Sequence, residues 1–139
     1  ILDLYSGTGS FGLECLSRKG GKVFFVEREI DIIRILEKNI EKLKLQKNTK
    51  IYICDVLNFL RKKIVNDTNF DLIFCDPPYK NTDLQQLIKL IYFNKLIKKN
   101  GIFIFHRKKN SEDKIPDYLK ILDYRIYGSS KVFFGKFLF

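Results

Sequence analysis

Asp76-Pro77-Pro78-Tyr79 carries the densest chemistry in this sequence. Two consecutive prolines remove two backbone donors and stiffen the chain, leaving carbonyl oxygens to face outward. A carboxylate precedes this rigid corner and an aromatic ring follows it. The combination suits methyl transfer to a planar exocyclic amine. Such a nitrogen is a poor nucleophile, because its lone pair is delocalised into the ring. Hydrogen bonds from its N–H groups to the Asp76 carboxylate and the Pro77 carbonyl would draw density onto nitrogen and aim the lone pair. Tyr79 would stack on the base and hold its plane. Positioning then dominates the rate gain, and no metal is required.

A second constellation lies at the start of the chain. Gly7-Thr8-Gly9-Ser10-Phe11-Gly12 fits a G-x-G-x-x-G loop between a strand and a helix. Gly7 and Gly9 permit a tight turn and close approach of a ligand to the backbone, and the helix start offers unpaired N–H groups. Nucleotide-binding folds of several kinds share this loop. Glu27 ends the next strand, where an acid can accept both hydroxyls of a ribose, whether of a nicotinamide dinucleotide or of S-adenosylmethionine. Asp3 is more selective. It stands inside the first strand, four residues before Gly7, and burying a carboxylate there is costly unless it has work to do. It can fix the glycine loop and reach the amino group of a methionine moiety, directly or through water. Asp55 follows the third strand, placed to meet an adenine amino group, with Val56 supplying a backbone N–H; a plain helix cap is the equal alternative for Asp55.

The elements that must hold these groups alternate. Strands are expected over residues 1–4, 22–26, 50–54, 70–75 and 102–105, with helices over 10–19, 31–43 and 56–64. Gly20-Gly21 suit a left-handed stop for the first helix. Asn81 or Thr82 is the expected cap of a further helix with its stripe at Leu84, Leu87, Ile88 and Ile91. The tail reads as two strands, 118–127 and 131–139, around Gly128-Ser129-Ser130. Repeated βα units imply an α/β fold, with a parallel sheet covered by helices on both faces; the closing hairpin implies a mixed edge.

With 139 residues and 45% hydrophobic composition, residues 1–139 are expected to form a single catalytic domain with a real core. The chain starts at Ile1 on a strand pattern, so an upstream N-terminal segment is expected to be missing. Cys15, Cys54 and Cys75 are odd in number and widely spaced, as in reduced, buried thiols of a cytoplasmic protein. The 26 basic and 16 acidic residues give a formal charge of +10, which favours a polyanionic partner. No run is long and apolar enough to suggest a membrane partner, and nothing demands more than a monomer.

The stretch from Asp3 through Glu14, continuing in Leu16-Ser17-Arg18, resembles the RsmD family, bacterial enzymes that methylate N2 of one guanine in small-subunit (16S) rRNA. Val26-Glu27, Asp55, Asp76-Pro77-Pro78-Tyr79 and Tyr127-Gly128-Ser129-Ser130 fall in matching order. The resemblance implies a Rossmann-like class I methyltransferase: a seven-stranded, mostly parallel sheet with an antiparallel C-terminal hairpin. It implies S-adenosylmethionine as cofactor, contacted at Asp3, Gly7, Gly9, Glu27 and Asp55, beside which Tyr5 and Val56 are further expected cofactor contacts, and a target-amine site at Asp76, Pro77, Pro78 and Tyr79. The implied partner is 16S rRNA, a small ribosomal subunit or its assembly intermediate, in the cytoplasm. In relatives the fifth strand often ends in an acid; here His106-Arg107 follow Phe105, and a lone His at a strand end reads as structural or solvated.

Other readings predict different observations. A DNA or other RNA amino-methyltransferase would yield methyladenine or methylcytosine. A protein-glutamine methyltransferase usually has Asn where Asp76 stands. A nicotinamide oxidoreductase shares the glycine loop and Glu27 but has no use for Asp3 or the proline corner. A non-catalytic RNA-binding domain would tolerate the loss of Asp76.

Overall fold

A computed structural model describes residues 1–65, 68–78 and 83–139. Seven strands form one sheet in the order β3-β2-β1-β4-β5-β7-β6. The parallel block comprises β1 (Leu2–Leu4), β2 (Val23–Glu27), β3 (Thr49–Ile53), β4 (Phe70–Cys75) and β5 (Ile97–Lys108). The antiparallel edge is made by β6 (Leu119–Tyr127) and β7 (Ser130–Phe137). This is the mixed sheet, closed by a hairpin, that the sequence implied. Because β2 and β3 lie on one side of β1 and β4 on the other, the chain reverses its winding between β1 and β4. Crevices at the carboxyl ends of strands open at such switch points.

Helices α1 (Ser10–Ser17) and α2 (Ile30–Lys42) cover one face of the sheet, α3 (Val56–Arg61) and α4 (Leu84–Phe93) the other. Each is placed by its apolar stripe. In α2 the buried residues are Ile33, Leu36 and Ile40, at helical spacing. They pack with Leu13, Leu16, Val23 and Phe25. On the opposite face α3 and α4 bury Phe59, Leu60, Leu87, Ile88 and Ile91 against Leu2, Leu4, Ile73, Phe103 and Phe105. Strand alternation thus turns Leu2 and Leu4 toward α3 and α4 and turns Asp3 toward α1.

Three local expectations change. Helix α1 is stopped by Lys19, at φ 69°, rather than by Gly20 or Gly21. The amide of Lys19 bonds to the Leu16 carbonyl and that of Gly20 to the Cys15 carbonyl, the paired bonds of a Schellman closure. Glycine is required at position 20 for space, since a Cβ there would lie 2.7 Å from the Cys15 oxygen. The cap of α4 is Asp83, whose carboxylate accepts from the Gln86 amide, with Asn81 and Thr82 outside the described residues. Finally, β5 is much longer than 102–105: it begins at Ile97 and absorbs Asn100-Gly101 at a register irregularity opposite Phe70 and Leu72.

Gly12 fixes the seat of α1 on the sheet. A Cβ at this position would fall 2.7 Å from Val23 Cγ1 and closer still to the Phe25 ring. Both partners are fully buried, so neither can retreat. Gly12→Ala is therefore expected to lower stability by roughly 1–3 kcal/mol, the usual cost of overpacking, read as a fall in the urea midpoint at unchanged slope. An unchanged midpoint would mean α1 is free to lift.

Candidate functional site

The carboxyl ends of β1, β2, β3 and β4 surround an open cleft of about 850 Å³, lined among others by Tyr5, Gly7, Glu27, Asp55, Val56, Asp76, Pro77, Pro78 and His106. Its size falls in the range that holds a nucleoside-sized ligand. The β1–β4 register pairs Leu4 with Cys75, so the glycine loop and the proline corner leave the sheet side by side. The Asp76 amide even bonds to the Leu4 carbonyl, at 3.4 Å.

The loop is held by carboxylates on both sides. Glu27 Oε2 accepts the Gly7 amide at 3.0 Å, while its Oε1 accepts the amides of Arg28 and Glu29. A carboxylate offers about four lone-pair sites, so Glu27, half-buried at the cleft wall, retains capacity for a ligand hydroxyl. From below, Asp3 Oδ2 accepts the Gly12 amide at 3.0 Å. Asn39 on α2 donates to the Thr8 carbonyl. Gly7 takes φ 55° and Gly9 φ 86°, the left-handed region a side chain would strain.

Asp3 itself is buried behind the cleft wall, and its Oδ1 has no hydrogen-bond partner among the described residues. Burial pushes its carboxyl up to about 8 against the pull of the Gly12 amide, with the charges of Asp76 and Glu27 adding to the push. A buried carboxyl with a spare oxygen beside a cleft is suited to a cationic partner. Gly9 is likewise not on the cleft surface. It is buried against Leu36, whose methyl a Cβ would strike, so packing also requires glycine here.

Asp55 is a helix cap, one of the two roles expected of it, and its second oxygen faces Arg28. Oδ1 caps α3 by accepting the Asn58 amide at 3.0 Å, and Oδ2 lies 3.8 Å from the Arg28 guanidinium. Val56 opens the first turn of α3, where backbone amides lack intrahelical partners. Tyr5 bends the chain at φ 57° into the cleft, and burial pushes its hydroxyl up. Burial also pushes up the thiols of Cys15, Cys54 and Cys75, which makes them poor nucleophiles; only Cys75 is fully buried.

At the proline corner, Pro77 is buried and Pro78 exposed, while Tyr79 lies outside the described residues. Asp76 is half-exposed, and its Oδ1 sits 2.8 Å from Nδ1 of His106. Sequence reasoning missed His106. Its only signal was the departure from an acidic residue at the end of β5. The pairing of Cys75 with Phe105 is what carries the next residue of each strand, Asp76 and His106, into contact.

The family described as Conserved hypothetical protein 95 matches residues 1–136. A relative named Ribosomal RNA small subunit methyltransferase D, from Haemophilus influenzae, is 33% identical over 135 residues, covering 91% of this chain and 69% of its own. A second curated relative, from Bacillus subtilis, is covered over 60% of its length, so this chain spans only part of the curated relatives it matches. The crystal structure of HI0767 from Haemophilus influenzae superposes with a TM-score of 0.88 at 28% identity, over 99% of this chain and 86% of that one. SMU.776, crystallised with SAH, shares the fold at 18% identity, with a TM-score of 0.78 over 97% of this chain and 44% of its own.

Proposed function

This chain belongs to the Conserved hypothetical protein 95 (RsmD) family, and on that footing we propose that it carries the catalytic centre of a 16S rRNA guanine-N2 methyltransferase. Its fold is the Rossmann-like class I methyltransferase fold. The observation that carries the reading is the adjacency of two sites: a nucleoside-sized cleft under the glycine loop, and a carboxylate on a proline corner at its rim.

The residues present fit S-adenosylmethionine. Glu27 would accept the ribose hydroxyls, Asp55 and the Val56 amide would meet the adenine, and the glycine loop with Tyr5 would flank the sulfonium. The spare oxygen of Asp3 would take the charge of the amino group, directly or through water. When bound, the cofactor supplies an electrophilic methyl carbon on a good leaving group. Asp76 and the Pro77 carbonyl would accept the N–H groups of the guanine amine and turn its lone pair toward the cleft, with Tyr79 stacked on the base. The methylated nitrogen then sheds one proton, with Asp76 as first acceptor. A base taken from a paired or stacked RNA must be extruded first, at a cost of a few kcal/mol.

The rim on the hairpin side suits RNA. Lys108 pairs with Ser130, so the turn at Gly128-Ser129 stands at the cleft end of the sheet. Tyr124 and Tyr127 are exposed on β6, and Lys131 lies 4.2 Å from the Tyr124 ring. Aromatic faces beside cations are what unpaired bases and their phosphates stack and pair on.

Two measurements test the proposal. Calorimetry is expected to show S-adenosylhomocysteine binding and no NADH binding. Nucleoside mass spectrometry after incubation with small-subunit rRNA or particles is expected to show N2-methylguanosine. Methyladenosine or methylcytidine in its place would refute the guanine reading, and NADH binding without S-adenosylhomocysteine would refute the methyltransferase.

A further inference from the structure

The contact between His106 and Asp76 assigns a task to the imidazole. His106 stands on β5 directly after the residue paired with Cys75, and on its other side pairs with Val132 of β7. Both backbone neighbours are in register, so the ring is delivered to the cleft wall by two strands at once. It is mostly buried, with 22% of its side chain exposed, whereas the Asp76 side chain is 46% exposed. The more buried group therefore anchors the more exposed one.

We propose that His106 is a positioning residue for methyl transfer: the ring donates its Nδ1–H to Asp76 Oδ1, leaving Oδ2 as the oxygen presented to the target amine. The inference rests on the methyltransferase reading of this cleft and adds to it a residue the sequence did not suggest. An aspartate on a fixed backbone can still rotate about its terminal bond. Half-exposed, it would exchange its two oxygens and share them with water. One bond at 2.8 Å removes that freedom. The attacking lone pair must line up with the methyl carbon, and small errors in aim at this stage are expensive in rate. The proton on the ring is placed by the same bond, because the partner of one nitrogen fixes which tautomer is held. In this arrangement His106 acts through Asp76.

Asn is the conservative replacement. Its side-chain nitrogen is the same number of bonds from Cβ as Nδ1, whereas that of Gln is one bond further out. With small-subunit rRNA as substrate, His106→Ala is expected to lower kcat by roughly 10- to 100-fold, the effect of losing one hydrogen bond to a charged group. The KM for S-adenosylmethionine and the affinity for S-adenosylhomocysteine should stay within about twofold. His106→Asn is expected to recover most of the loss and His106→Gln little of it. If Ala leaves kcat unchanged, or if Ala, Asn and Gln fall alike, the positioning role is overturned.

A second measurement does not depend on turnover. His106 is the only histidine of the chain, so imidazole ¹⁵N signals of protein purified without a histidine tag need no assignment. In the singly protonated ring, the proton is expected on Nδ1 in the native chain and less firmly held there in Asp76→Ala. A native ring protonated on Nε2 would overturn the inference. Native protein that methylates no RNA would overturn the proposed function while the tautomer still decides the contact.

Discussion

An Asp76→Ala chain is expected to bind S-adenosylhomocysteine nearly as tightly as the native one and to turn over roughly 10²- to 10⁴-fold more slowly. The split follows from where Asp76 stands. It lines the cleft at the end of β4, beyond Glu27, Asp55 and the glycine loop, and bonds to His106 rather than to the loop. Removing its side chain leaves the Gly7 amide on Glu27 and the Gly12 amide on Asp3. The backbone bond from the residue 76 amide to Leu4 also remains, so the corner keeps its shape. On the proposed mechanism, what disappears is the acceptor for the amine N–H and the first station for its proton. The measurement pairs calorimetry with single-turnover methylation of rRNA. Native-like rates would mean the proline corner does no chemistry, and equal loss of rate and cofactor affinity would mean Asp76 belongs to the cofactor side.

The residues that sequence reasoning placed well all stand where a strand ends. Glu27, Asp55 and Asp76 follow β-branched or aromatic runs, and a parallel sheet gathers such ends on one edge whatever its exact register. That edge is legible because the periodicity that marks each strand also marks where it stops. Residues whose place depends on register are not legible in this way. His106 comes against Asp76 only through the parallel pairing of β4 with β5, which itself contains an irregularity between Phe70 and Leu72. Asn100-Gly101 has the composition of a turn, and the sheet carries it inside β5 because pairing with β4 stands on both sides of it, Ile97 on Phe70 and Ile102 on Leu72. Gly9 shows the same limit from another side. A glycine in a ligand loop reads as room for the ligand, and here the room is taken by Leu36. Lys19 in the left-handed stop of α1 follows from the tight approach of residue 20 to Cys15, a packing demand with no local signature.

Asp3 should make both folding and ligand binding depend on proton uptake, in opposite directions. Its carboxyl stands near 8 in the fold against an ordinary value of 3.8, chiefly because it is buried. Between those values the native chain holds a proton that the unfolded chain has released. The stability of the ligand-free protein must then fall as pH rises across this window and level off above about 8. Asp3→Asn removes the titration while its amide oxygen can still accept the Gly12 amide. Urea unfolding is expected to show a smaller loss of stability in Asp3→Asn than in the native chain between roughly pH 5 and pH 8. Equal slopes would mean that Asp3 is ionised throughout. The bound state reverses the demand, because an ammonium beside Oδ1 favours the carboxylate. S-adenosylhomocysteine is therefore expected to release close to one proton per ligand near pH 7, seen as a binding enthalpy that follows the ionisation enthalpy of the buffer. In Asp3→Asn that buffer dependence should vanish and affinity fall by roughly 10- to 100-fold. Binding with no proton released, at native affinity in the variant, would leave Asp3 as a strut for α1 and hand the amino group to some other oxygen of the cleft.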